Sequence, residues 1–295
     1  MIQNLREYFY SFICLLIASL VAVAGYNQDS ILNGYPILIL CMSLSFIIHW
    51  LFFLPSFIMK TEKFYDITGT FAYLIIVFTA LFLTRISTQE PLSLRTIICS
   101  SFIIIWSLRL GLFLLVRVIN VGEDKRFAKA KKSFSKFFMF FSISALWVFL
   151  TTANSLTMII NNSSMSNDLF FMIGFSISLT GFILEVIADR QKKLFRLNYL
   201  NKGRFITTGL WSVSRHPNYL GEIMIWVGMS ITSFPVLIGW QFITLISPIF
   251  VIILLTKISG VNLLEEQADM TWGSENSYQM YKKVTPVLVP FLKIK

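Results

Sequence analysis

The sequence predicts an all-α protein, a polytopic membrane bundle of about eight transmembrane helices. Three observations predict it. Of 295 residues, 56% are hydrophobic, with a mean hydropathy of +0.71. Apolar runs long enough to cross about 30 Å of hydrocarbon recur along the chain. The basic residues gather in particular loops and avoid others. Length alone would suit one or two soluble domains, but composition overrides that expectation.

Seven runs qualify outright: Phe9–Tyr26, Tyr35–Leu54, Ile67–Leu83, Ile97–Val116, Phe137–Ile160, Leu169–Ala188 and Leu237–Thr256. An eighth, Tyr219–Ser233, is shorter and carries Glu222, which suits a tilted or cavity-lining helix. The first run follows Arg6 and ends Ala22-Val23-Ala24, so a cleaved signal peptide is the competing reading. Its length suits a retained helix better. What remains between the runs is too short for a soluble domain.

A net charge of +10 raises the question of nucleic acid, and its distribution answers it. Seven Lys/Arg lie between Arg117 and Lys136 and seven more between Arg190 and Arg215, whereas Asn27–Gly34 and Asn161–Asp168 hold none. That asymmetry is the positive-inside pattern, and it puts both termini and the basic loops in the cytoplasm. Nucleic acid is not an expected partner. Cys14, Cys41 and Cys99 are scattered through apolar runs and there are two histidines, so neither a disulfide framework nor a metal site is expected. The cysteines read as small buried hydrophobes.

The chemistry concentrates between Glu185 and Glu222. Glu185, Asp189, Lys192 and Arg196 step by four, three and four, which places them on one helical face. A juxtamembrane helix meeting head groups accounts for Lys192, Lys193 and Arg190. It accounts poorly for Glu185, because a carboxylate within an apolar run needs a partner or a wet cavity. Gly203-Arg204-Phe205 then sets an arginine beside a glycine that permits a tight turn. Guanidinium groups such as Arg196 and Arg204 suit a pyrophosphate or a 2′-phosphate, which they bind with paired hydrogen bonds. Gly-x-Gly-x-x-Gly is absent from this passage and no strand precedes it, which excludes a Rossmann site.

Ser214-Arg215-His216-Pro217-Asn218-Tyr219-Leu220-Gly221-Glu222 follows. Pro217 fits the first turn of a helix, where its missing N–H costs nothing. Asn218 and Glu222 are then four apart on one side, with Tyr219 beside Asn218. Glu222 is suited to accept from a carboxamide NH2, and His216 reads either as a site residue or as a helix-entry residue bonding head groups. In the C-terminal tail, Tyr278 and Tyr281 are three apart on a short helix ending before Pro286. The tail reads equally as a cap over a pocket mouth or as an interfacial anchor.

In order, Glu-x-x-x-Asp-x-x-x-x-x-x-Arg, Gly-Arg-Phe and Gly-Leu-Trp-x-x-Ser-Arg-His-Pro-Asn-Tyr-x-Gly-Glu resemble the steroid 5α-reductase C-terminal-like family, most closely its bacterial branch of unknown function. Lys63–Gly69, Trp106–Gly111, Gly122–Phe127, Ala145–Phe149 and Lys257–Val261 resemble other blocks of that branch, so the likeness runs from Lys63 to Phe291. The resemblance divides the chain into N-terminal transmembrane helices, residues 1–62, and a reductase-like transmembrane domain, residues 63–295, with a cytoplasmic tail. It implies an intramembrane oxidoreductase of a bacterial inner membrane. NADPH would lie in a cavity open to the cytoplasm, and an activated C=C of a lipidic substrate would be reduced. Carried over, Asp189, Arg196, Arg204, Asn218, Tyr219 and Glu222 fall among the cofactor contacts, with Tyr278 and Tyr281 corresponding more loosely. Glu185 and His216 join them as candidates from their own place in the passage. Arg109 and Arg117 are further residues able to reach such a cavity.

One departure bears on substrate. The steroid enzymes carry a glutamate immediately before Leu-Pro-Ser-Phe, but Phe53 precedes Leu54-Pro55-Ser56-Phe57 here. A 3-keto steroid is therefore in doubt, and His49, Tyr65 and Asp66 are the candidate replacements for the missing acid. The alternative reading is a membrane methyltransferase of the isoprenylcysteine carboxyl or phospholipid type. Those enzymes share Arg-His-Pro-x-Tyr-x-Gly and a glutamate near a C-terminal Tyr-x-x-Tyr, and they use S-adenosylmethionine. The Arg196/Arg204 pair favours the phosphorylated dinucleotide. A non-enzymatic lipid-binding or scaffolding protein is a third class, against which the intramembrane Glu185 and Glu222 speak.

Overall fold

The computed structural model describes residues 2–26, 31–32, 35–121, 127–163, 168–258 and 260–290. Among them the long helices are α1 (Ile2–Ala24), α2 (Ile37–Ile58), α3 (Lys63–Thr88), α4 (Leu94–Val121), α5 (Phe134–Asn161), α6 (Leu169–Leu197) and α7 (Pro217–Ser233). Shorter helices α8 (Ile246–Ile253), α9 (Val261–Trp272) and α10 (Asn276–Val284) follow. The fold is all-α apart from a two-residue antiparallel ladder, β1 (Ile31–Leu32) with β2 (Tyr35–Pro36). Eight segments are long and apolar enough to span a membrane, as expected of a multi-pass integral membrane protein. The Gly122–Arg126 block and Ser259 lie outside the described residues.

The eighth span corrects the sequence reading. Leu237–Thr256 was expected as one helix, but the backbone runs as a 3₁₀ helix (Gly239–Leu245), then α8, then a π-helical stretch (Leu254–Ile258). Gly239 enters it with φ +52°, a conformation glycine adopts without penalty. Apolar content decides that a segment crosses. It does not decide the hydrogen-bond period within it.

Packing divides the chain into two compact units, one of residues 1–171 and 233–247, the other of residues 172–232 and 248–295. This partition follows packing and differs from the 62/63 boundary drawn from resemblance. In the first unit α5 is the central helix, buried without a break from Val148 to Ile160. Ser133 caps its start by accepting from the Lys136 amide, and Asn162 closes it in the left-handed region at φ 44°. Its hydroxyls are satisfied inside the bundle. Thr152 and Thr157 donate to carbonyls four residues back at 2.7 and 2.8 Å, and Tyr73 meets Thr151 at 2.7 Å. Such pairing is what apolar surroundings demand of a polar group.

At one end of the first unit lies an aromatic cluster. Phe53, 1% exposed, sits against Phe57, Phe134, Phe137, Phe138 and Phe141 with ring centroids 4.9–6.0 Å apart. Phe53, which precedes Leu54-Pro55-Ser56-Phe57, is therefore a core phenyl ring. A carboxylate introduced there would be surrounded by rings that offer it no donor.

Candidate functional site

In the second unit, α6 and α7 meet along a seam of small residues. Gly174 and Gly181 on α6 are seven apart, as are Gly221 and Gly228 on α7. A Cβ at Gly221 would stand 2.6 Å from the Gly181 carbonyl oxygen and 2.8 Å from the Glu185 amide, so only glycine fits. Ser178 donates across the seam to the Ile225 carbonyl at 2.9 Å. Close backbone approach of this kind is the use of small residues in membrane helices. Glu185 is buried against Gly221, one residue from the half-buried Glu222, and Asp189 is buried one turn further along α6.

Beyond α6 the chain turns through Gly203 (φ +81°) and Gly209 (φ +63°). The loop is pinned back onto the end of α6. Leu210 N–H donates to Gln191 Oε1 at 2.9 Å, and Trp211 Nε1–H donates to the Ala188 carbonyl at 3.1 Å. Lys192 Nζ lies 4.5 Å from the Trp211 ring centroid, within cation–π range. Ala188, Ile206 and Trp211 form a small apolar core beneath.

The loop ends on the Arg-His-Pro turn, and Pro217 opens α7 as the sequence predicts. Here the structure adds a residue that the candidate set lacked. Glu265, from α9, takes Arg215 Nη1 on one oxygen at 2.5 Å and His216 Nε2 on the other at 2.8 Å. Lys282 Nζ lies 3.8 Å from the first oxygen and 2.6 Å from Asp269 Oδ1. Among the described residues, His216 Nδ1 and Arg215 Nε are buried without a hydrogen-bond partner. Burial holds the His216 pKa below the usual imidazole value, although the Glu265 carboxylate acts in the other direction. The ring stacks on Tyr219 at 5.7 Å and 9°.

The C-terminal segment docks on this loop, which decides for docking over a free interfacial anchor. Arg215 and His216 amides donate to the Pro286 and Val287 carbonyls at 2.9 and 3.1 Å. Tyr281 donates to the Trp211 carbonyl at 2.6 Å, and Tyr278 to Asp269 at 3.2 Å. Burial pushes both phenols above their ordinary value, so both act as neutral donors. Phe205 lies among Trp272, Tyr278 and Tyr281 at 5.2–5.7 Å.

Of the cofactor residues read from sequence, all ten fall in the second unit. Glu185, Asp189, His216 and Tyr278 are buried, Asn218, Tyr219, Glu222 and Tyr281 partly so, and Arg196 and Arg204 are exposed. The three candidates for the missing acid fall in the first unit. His49 is fully buried, with Nδ1 2.7 Å from the Ser45 carbonyl and Nε2 3.1 Å from the Ser144 hydroxyl. Tyr65 donates to the Phe140 carbonyl at 3.1 Å, and Asp66 lies 3.6 Å from Arg117. Arg109 sits over the Phe113 ring at 5.4 Å. Glu265 had one signal in sequence, its place ahead of Tyr-x-x-Tyr, but nothing local said that it would reach back to the Arg-His-Pro turn.

The apolar helices define a multi-pass membrane protein, and its second unit holds a turn of buried charged residues. Residues 52–285 match the family described as "Protein of unknown function (DUF1295)", and the chain belongs to it. That family lies among membrane proteins related to steroid reductases and isoprenylcysteine methyltransferases. The chain is also 34% identical over 64 residues to "Probable O-methyltransferase ustE" of Ustilaginoidea virens. The match covers 22% of this chain and 22% of that protein, about a fifth of the length of the relative. No solved structure matches.

Proposed function

We propose that the chain is an NADPH-dependent reductase of an activated C=C bond in a lipidic, enone- or isoprenoid-like substrate. The observation that carries this reading is the arrangement of charge along one connected passage. Buried Glu185 lies at the α6–α7 seam and buried Asp189 one turn further along α6. The end of the same helix and the loop beyond it carry exposed guanidiniums, Arg196 and Arg204. A ligand with a polar neutral head and phosphates at a distance suits that order. The residues fit NADPH. Arg196 and Arg204 would hold phosphates by paired hydrogen bonds. Glu222 would accept from the carboxamide, and Asn218 and Tyr219 would flank it. Open space around Gly203, where an added Cβ meets nothing within 4 Å, leaves room beside Arg204.

NADPH would supply a hydride to the β-carbon of the acceptor. The chain's part is to orient both partners, exclude water and hydrogen-bond the oxygen on which charge develops, a donor worth about 3–4 kcal/mol. His49, Tyr65 and Asp66 are each engaged within the first unit, by Ser45 and Ser144, by the Phe140 carbonyl and by Arg117, so none of the three is singled out as the donor. Phe53 in the aromatic cluster supports a substrate other than a 3-keto steroid. The basic loops support a cytoplasm-facing site and cytoplasmic termini, and placement in a bacterial inner membrane rests on the family resemblance alone.

The second reading, an S-adenosylmethionine-dependent methyltransferase, is favoured by the short match to a protein of that name. One assay in lipid nanodiscs separates the two. With a panel of unsaturated isoprenoid and enone lipids, the reductase reading expects loss of NADPH absorbance that depends on the lipid. Methyl transfer from labelled S-adenosylmethionine, with NADPH untouched, would contradict it.

A further inference from the structure

The Arg-His-Pro turn carries a carboxylate–imidazole pair whose geometry fixes more than packing. Glu265 faces Arg215 and, more distantly, Lys282 through one oxygen, which keeps the carboxylate ionised and therefore an acceptor only. Its other oxygen lies 2.8 Å from His216 Nε2, so that nitrogen must carry the proton. A neutral imidazole has one N–H, which leaves Nδ1 as a bare lone pair. That atom is buried in a side chain only 6% exposed, and among the described residues no donor reaches it. An unsatisfied buried acceptor is costly, so such atoms are kept where something else supplies the donor.

We propose that Glu265 is a positioning residue that locks His216 in the Nε2–H tautomer, and that His216 Nδ1 accepts a hydrogen bond from a neutral N–H or O–H of the bound ligand. The class of contact is specific. An acceptor at Nδ1 selects a carboxamide or a sugar hydroxyl and disfavours a phosphate or carboxylate oxygen, so the histidine reads a different part of the ligand from Arg196 and Arg204. Burial, which disfavours the imidazolium, supports the neutral ring. The identity of the ligand as NADPH rests on the reductase reading. The tautomer does not.

The test uses ¹⁵N-histidine-labelled full chain in detergent, read by long-range ¹H–¹⁵N spectra. The chain has two histidines, and they serve as each other's control. His49 Nδ1 faces a carbonyl and must donate, so it is expected as Nδ1–H, the opposite tautomer to His216. His216→Asn assigns the signals. Finding His216 as Nδ1–H or as imidazolium at neutral pH would overturn the proposal without any variant. Glu265→Gln should move His216 toward Nδ1–H, and an unchanged tautomer would remove Glu265 from that role. NADPH should shift the Nδ1 resonance upfield. The same shift with 2′-phospho-ADP-ribose assigns the donor to a sugar hydroxyl, and its loss assigns it to the carboxamide. NADPH bound by calorimetry with Nδ1 unmoved would overturn the ligand contact. NADPH failing to bind while His216 remains Nε2–H would overturn the reductase reading and uphold the pair. His216→Ala is expected to weaken NADPH binding about tenfold, the size of one buried hydrogen bond.

Discussion

Each unit of the molecule holds one buried histidine, and the two are built differently. His49, in the first unit, has both nitrogens engaged within the bundle, by Ser45 and Ser144. His216, in the second, has one nitrogen fixed by a carboxylate and the other left without a partner among the described residues. The same side chain, equally hidden from solvent, is finished in one place and open in the other. The contrast extends to the neighbours. Around α5, hydroxyls close on carbonyls of the same bundle, whereas the second unit buries Glu185 and Asp189 on α6 and pairs Arg215 with Glu265 of α9. A buried histidine with both nitrogens bonded is accounted for by its packing, whereas a bare buried acceptor calls for a donor from elsewhere.

The largest effect should come from the seam that holds the second unit together. Gly221→Val would drive a side chain into the Gly181 carbonyl and the Glu185 backbone, and should cost about 3 kcal/mol in a detergent denaturation series. Gly69→Ala in α3, where a Cβ meets nothing, should change stability by less than about 1 kcal/mol. Equal losses would deny that the seam is special.

The histidines should then separate by readout. His49→Ala is expected to lower stability by about 2–3 kcal/mol through the orphaned Ser144 and the cavity, leaving NADPH affinity unchanged. The contrast reverses if His49→Ala is the variant that loses affinity. Arg204→Ala should weaken NADPH at least tenfold with no loss of stability, since the residue is exposed. Glu222→Gln should reduce turnover more than phosphate-dependent affinity, and a fully active variant would leave Glu222 a structural role.

The smallest effect concerns pH. His216 is held below the usual imidazole value of 6.5, so the unfolded chain takes up its proton first as pH falls. Stability from this residue is complete above about 6.5 and declines as pH drops toward the lowered folded value. Glu265, Arg215 and Lys192 all bear on that titration. His216→Gln should flatten this part of the profile, and an unchanged slope would assign it to other groups.

Hydropathy and charge bias were enough to read the spans, because the bilayer permits few alternatives to an apolar helix. The start of α7 at Pro217 and the turns at Gly203 and Gly209 were legible for a local reason, the backbone freedom of those residue types. The 3₁₀ and π segments around α8 were not, since apolar composition is silent about hydrogen-bond period. Glu265 was not legible as a site residue, because 49 residues separate it from His216 and only folding brings them together. The role of Phe53 was half legible. The missing acid was visible in sequence, while the phenyl cluster that replaces it was not.

The central claim is that the second unit binds a phosphorylated dinucleotide. Calorimetry of NADPH against S-adenosylmethionine, with NADH as control, on the detergent-solubilised wild type and on Arg204→Ala, tests it most directly. The account predicts tight NADPH binding, weaker NADH binding, and a loss of at least tenfold for NADPH in the variant. Binding of S-adenosylmethionine alone, unaffected by Arg204→Ala, would contradict it.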